Sequence, residues 1–238
     1  MSNLVYTCFQ NDIKLLRVWI DYYSKFFDRI HILCFGTKQE YLDELDIKGI
    51  EYEVIADENL KDEEIMKSLQ PEIAINLVKE KQIEFLKDNI WVLYCNIDEF
   101  LVTSKRYKDL KDLMANLKKD YINCLAYDVI KVDGEGIIDY TTPILNQRKF
   151  WVKNENYNKI ILSKIPLSWN SGSHQIANVS DNESKVFKNK GLYLVHLKHI
   201  DPDRKDSDLG PHYSKIETNN YPKDHPSLRY IPKWIKKF

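Results

Sequence analysis

Ile90-Trp91-Val92-Leu93-Tyr94-Cys95 is almost wholly apolar, and it runs without a break into Asn96-Ile97-Asp98-Glu99-Phe100-Leu101. A continuous apolar run of this length fits a strand buried on both faces, as in a parallel sheet covered by helices. The flanking pattern agrees. A long helix is expected from Pro71, whose ring suits a first helical position, with Ile75, Val78, Phe85 and Leu86 on one face.

Further upstream, Leu4–Phe9 reads as a buried strand. A helix follows, with Leu16, Trp19, Tyr23, Phe26 and Phe27 at helical spacing. Asn11 or Asp12 can cap its first turn, because a short side-chain oxygen accepts an orphan backbone N–H there. Ile30–Phe35 is the next strand, closed by Gly36-Thr37; residues 38–46 look helical, and Tyr52–Ile55 is a third strand. Strands alternating with helices imply an α/β, Rossmann-like half with a parallel sheet.

Downstream the pattern changes. One more helix is expected, with Tyr107, Leu110, Leu113, Met114 and Leu117 in phase. Strand-like pieces follow near 121–132, 145–152, 159–164 and 192–197, an antiparallel or mixed extension folded onto the first half. A single domain over 1–238 is therefore expected, with a Rossmann-like half over about 1–102, a second half over about 103–200 and a tail over 201–238.

Composition bounds the options. The 238 residues, 43% hydrophobic and 30% charged, fit one globular unit. Lys+Arg at 35 nearly cancels Asp+Glu at 36, so the basic excess of a nucleic-acid binder is missing, and no nucleic-acid partner is expected. Cys8, Cys34, Cys95 and Cys124 sit in apolar runs without CxxC spacing, which reads as buried reduced thiols in a cytoplasmic protein. No secretory signal is visible after Met1, and no run approaches eighteen apolar residues. The C-terminal Tyr230-Ile231-Pro232-Lys233-Trp234-Ile235-Lys236-Lys237-Phe238 interleaves aromatics with lysines. It could rest on a membrane interface as a peripheral contact, or pack its Trp against the domain.

In open parallel sheets, ligands bind beyond the carboxyl ends of the strands. Side chains alternate along an extended chain, so Asn96 and Asp98 are expected on one side. Asp98 could then offer a carboxylate to Mg²⁺ or Mn²⁺, with Asn96 as a neutral oxygen ligand. The bland alternative is a polar strand end that starts a loop.

Four segments in order carry a resemblance. Trp91–Leu101 resembles the W-hyd-hyd-hyd-D-x-D-E-F-L signature of GT-A-fold glycosyltransferases, in their family-2-like and family-92-like groups. Asn11-Asp12 with Leu15 and Trp19 is similar to the group's N-E-x-x-x-L-x-E-W opening. Asn158-Lys159-Ile160-Ile161 followed by Gly172-Ser173-His174 resembles its K-x-I strand and downstream G-x-H. Val195-His196-Leu197 is similar to its hydrophobic-H-Y segment. The resemblance covers residues 4–200 and departs at Asn96, where the group has an acid, and at Asp12, shorter than the usual Glu.

The resemblance implies a single GT-A catalytic domain, with the nucleotide-binding half in about 1–102 and the acceptor-side half in about 103–200, a nucleotide-sugar donor (a UDP-sugar favoured) and Mn²⁺ or Mg²⁺. A glycan or glycolipid acceptor and inverting transfer are expected. It implies His196 as a metal ligand or phosphate contact, against a hydrogen-bonded structural His, and Asp12 with Asn11 against the nucleotide. His174, in a Gly-containing loop, could reach ligand. Lys79, Lys81, Arg148 or Lys149 could neutralise diphosphate. Trp169 and Tyr193 could stack on sugar or base, or pack in the core. An inverting enzyme also needs a carboxylate base; Asp133 or Glu135 in Asp133-Gly134-Glu135-Gly136 could serve, or the segment is simply an Asp-Gly turn. The alternatives are a non-catalytic carbohydrate- or nucleotide-binding module, and a nucleotidyltransferase on the same fold. The last would want a glycine-rich loop that Cys8–Asp12 lacks.

Overall fold

A computed structural model describes residues 2–55, 71–155, 158–169, 188–197, 200, 226–233 and 235. The fold is α/β: a mixed ten-stranded sheet flanked, among the described residues, by four α-helices. The strands are β1 (Ser2–Phe9), β2 (Arg29–Phe35), β3 (Glu51–Ile55), β4 (Asn89–Tyr94), β5 (Glu99–Thr103), β6 (Tyr121–Ile130), β7 (Phe150–Lys153), β8 (Ile160–Ser163), β9 (Lys188–His196) and β10 (Arg229–Tyr230). The helices are α1 (Ile13–Tyr23), α2 (Gln39–Ile47), α3 (Pro71–Phe85) and α4 (Leu110–Asn116).

The strand order is β10-β7-β6-β8-β4-β1-β2-β3, with β9 joining β6 to β5. The β3-β2-β1-β4 portion is parallel throughout, as the apolar strands predict. β8 then runs antiparallel to β4, and β6, β7 and β10 continue the antiparallel extension.

Period two assigns the two faces of the parallel portion. Trp91, Leu93 and Cys95 join Val5, Leu16, Trp19 and Leu45 in one core layer. Val92 and Tyr94 join Leu4, Tyr6, Val78 and Phe85 in the other. β4 is therefore apolar on both sides because helices cover both sides.

Two sequence expectations are revised. The strand expected over 145–152 begins later, because Ile144–Asn146 forms a 3-10 turn and only Phe150–Lys153 is extended. Phe100 and Leu101, read as the end of the β4 run, belong to the separate strand β5, antiparallel to β9. The outer edge of β5 is served by α1. The Tyr22 hydroxyl donates to the Leu101 carbonyl at 2.5 Å and the Tyr23 hydroxyl to that of Glu99 at 3.1 Å, while the Leu101 N–H donates to Tyr23 at 2.9 Å. Side chains thus satisfy backbone groups that no neighbouring strand reaches. No helix among the described residues is long and apolar enough to cross a membrane.

Candidate functional site

From β1 the chain moves outward through β2 and β3, then returns to place β4 on the other side of β1. The gap between the carboxyl ends of β1 and β4 is thus a topological switch point, where open α/β sheets hold ligands. Asp12 follows β1 and Asn96–Asp98 follow β4. Asp12 is the N-cap of α1, its Oδ1 accepting from the Leu15 N–H at 3.1 Å, so of the two candidate caps the structure uses this one. It is buried, with Asn11 half-buried beside it.

The segment after β4 is not extended. The Glu99 N–H donates to the Asn96 carbonyl at 3.0 Å, closing a tight turn over Asn96–Glu99. The period-two argument that put Asn96 and Asp98 on one side fails for that reason. Asn96 Oδ1 instead accepts from the Tyr94 hydroxyl at 3.0 Å. Asp98 turns toward β9.

Glu99 braces this turn. One carboxylate oxygen accepts from the Asn96 N–H at 3.0 Å, and the other lies 2.5 Å from the Lys159 ammonium. Both side chains of the pair are almost fully buried. Burial works against the lysine's charge, but Glu99 beside it, with Asp98 nearby, more than offsets this and holds the Lys159 pKa above its ordinary value. A buried lysine at the head of the apolar run 160–162 is intelligible on this footing, since buried lysines are nearly always paired.

Asp98 faces His196 at the end of β9. His196 Nε2 lies 3.2 Å from Asp98 Oδ2, and Nδ1 lies 2.8 Å from Asp128 Oδ1. Asp128 is on β6, in register with His196 across a parallel pair, and its Oδ2 accepts from the Asn154 side-chain amide at 2.6 Å. Glu99 is opposite His196 across the antiparallel pair, and the Leu197 N–H donates to the Asp98 carbonyl at 2.7 Å. Burial opposes the imidazolium, yet Asp98 and the hydrogen bonds to both aspartates raise the His196 pKa to about 10. In the metal-free protein both ring nitrogens therefore donate at neutral pH. Three carboxylates here face one ammonium and one imidazolium, an arrangement that favours a further cation.

Several expected residues lie apart from this cluster. Lys81 pairs with Glu53 of β3 at 2.6 Å and with Glu84 at 3.1 Å. Lys79 Nζ lies 3.4 Å from the Asn76 side-chain oxygen. Arg148 is buried and donates to the Ile200 carbonyl at 2.8 Å and the Gly136 carbonyl at 3.0 Å, a structural clamp rather than a phosphate contact. Asp133 and Gly134 form a turn closed by the Glu135 N–H on the Val132 carbonyl at 3.1 Å, with Gly134 at φ 81°, where glycine is favoured. Glu135 accepts from the Val132 and Lys149 N–H groups, while Asp133 stands exposed. The contacts of this turn run to the Lys149 backbone and the Arg148 side chain. Trp169 is core, its indole N–H donating to the Ile160 carbonyl at 2.9 Å. Tyr193 is half-buried, 5.9 Å from the Tyr127 ring. His174 and His199 lie outside the described residues.

Sequence reading missed Asp128 and Asn154. Their signal was weak: a lone carboxylate interrupting Ala126-Tyr127-Asp128-Val129-Ile130, and an amide just past a short strand. Neither forms a motif by itself.

No protein-family model matches this chain, and neither does any curated protein. What fold and site define is a class: a Rossmann-like α/β protein with an acid–histidine cluster flanking the switch point of its sheet.

Proposed function

We propose that the protein is a metal-dependent glycosyltransferase that takes a nucleotide-sugar donor, a UDP-sugar favoured, and passes the sugar to a glycan or glycolipid hydroxyl. The observation that carries this reading is the 3.2 Å approach of His196 Nε2 to Asp98 Oδ2 beside the switch point.

The donor set fits a small divalent cation. The 3.2 Å between His196 Nε2 and Asp98 Oδ2 is an ion-pair distance in the metal-free protein and also brings the two atoms close enough to share one small cation. A carboxylate and an imidazole together suit Mn²⁺. Among the described residues no group of three or more His, Cys, Asp or Glu side chains is arranged to hold a metal. On this reading Asp98 and His196 would hold the ion, which would take the place of the Nε2 proton and release it to solvent, with diphosphate oxygens and water completing its shell. When bound, the ion offsets the charge that gathers on the departing nucleoside diphosphate.

The chain's own residues do the rest. Glu99, fixed by Lys159, holds the turn that presents Asp98. Asp12, at the neighbouring strand end, is offered to the nucleotide. Asn96, tied to Tyr94, shapes the wall between them.

The test is a thermal melt with Mn²⁺ and UDP, followed by a panel of nucleotide sugars with released nucleoside diphosphate as readout. A transferase is stabilised by the pair, and turnover is lost in a folded Asp98→Asn variant. No melting shift with any nucleotide in the presence of metal would count against the reading. A binding module, which Asn96 in place of an acid favours, would instead keep its ligand affinity without metal.

A further inference from the structure

We propose that Asp128 is a positioning residue for the divalent-cation site, fixing the His196 ring so that Nε2 faces Asp98, with Asn154 fixing Asp128 in turn. This rests on the metal-dependent reading of Asp98 above. It concerns two residues that no motif singled out.

An imidazole at a strand end has a broad, roughly two-fold choice of ring orientation. Which nitrogen meets the site must be set by a partner. Asp128 Oδ1, 2.8 Å from Nδ1, supplies that partner. The spacing comes from the backbone, because Asp128 and His196 are register neighbours on β6 and β9. Asp128 is held by its other oxygen, which accepts from Asn154 at 2.6 Å, and Asn154 is itself anchored by its N–H on the Ala126 carbonyl at 3.0 Å. Each link therefore sits on a different piece of sheet: the end of β7, then β6, then β9, then the turn before β5.

A purely structural network would be an odd choice here. Two buried carboxylates on one imidazole leave an excess of negative charge in the interior, and well-packed apolar side chains do as well or better for stability. Orientation of a ligating histidine by a carboxylate on its far nitrogen explains the arrangement, and loss of such partners typically costs roughly 10–100-fold in metal affinity.

The experiment titrates Mn²⁺ into the full chain with UDP held constant, reading free Mn²⁺ by electron paramagnetic resonance. Melting of each metal-free variant is recorded in parallel. Expected are loss of binding in Asp98→Asn, roughly 10–100-fold weaker binding in Asp128→Asn, and a smaller loss in Asn154→Ala. If Asp128→Asn does not fold, the half-exposed Asn154 decides the matter through its own variant. Wild-type affinity in both Asp128→Asn and Asn154→Ala, alongside loss in Asp98→Asn, overturns the positioning role and leaves the metal reading standing. So does a drop in metal-free melting temperature with Mn²⁺ affinity unchanged. A wild-type chain that takes up no Mn²⁺ beside UDP removes both.

Discussion

Asp98 and Glu99 are adjacent acids in one turn, and the fold gives them opposite employment. Glu99 is sealed against Lys159, with its second oxygen on the Asn96 N–H; the turn and the ammonium together consume it. Asp98 is directed at an imidazole that a second carboxylate already holds. The difference teaches that an acidic motif need not be a set of equivalent ligands. One acid shapes the loop, and its neighbour faces the imidazole at the end of β9.

The sharpest break in this comparison is Lys159→Met. It leaves Glu99 buried without its counter-charge and should cost about 3–5 kcal/mol, measured by denaturant unfolding. Combining it with Glu99→Gln, which keeps an acceptor for the Asn96 N–H, should recover most of that loss. A double variant no more stable than Lys159→Met would show that the lysine supports the fold in some other way.

The Asp98 side responds to pH. The folded His196 pKa of about 10 lies above the ordinary value of 6.5, so the folded state binds the extra proton more tightly. Its stabilisation is fully present below pH 6.5 and is lost as pH rises from there through 10, on the order of a few kcal/mol. Melting temperature against pH on metal-free protein should fall across that window, and Asp128→Asn should flatten the slope.

Next in size is ligand linkage. Mn²⁺ with UDP at 100 times the dissociation constant should stabilise the wild-type chain by about 2.7 kcal/mol, and Asp98→Asn should show no such gain over its own metal-free melting temperature, which the lost charge beside His196 lowers. The smallest effect is expected at Tyr23→Phe. It leaves the buried Leu101 N–H without its acceptor, costing about 1–3 kcal/mol in a chemical melt. Its influence on the cluster should be confined to β5.

Much of this architecture was legible before folding. Apolar runs at 4–9, 30–35 and 90–95 became parallel strands because a segment buried on both faces needs no polar alternation. The helix faces led by Leu16, Trp19, Ile75 and Val78 were readable for the same reason: local period reports local burial. The turn at Asp133-Gly134 was legible too, closing with Gly134 in the left-handed region that Asp-Gly turns use. The four spaced segments of the resemblance were legible one by one; only the fold brings Asp98 to His196 and Glu99 to Lys159.

The sequence by itself determined the layers, a helix cap at Asn11 or Asp12 and the apolar strand that ends at the gap. The tertiary structure alone decided that Asp12 is the cap, that Asn96 turns to Tyr94, that Asp98 meets His196 while Glu99 meets Lys159, and that Asp128 and Asn154 join them. The physical reason is range. Backbone periodicity and capping are set within a few residues, whereas the partner of a buried charge is chosen by register between strands far apart in the chain.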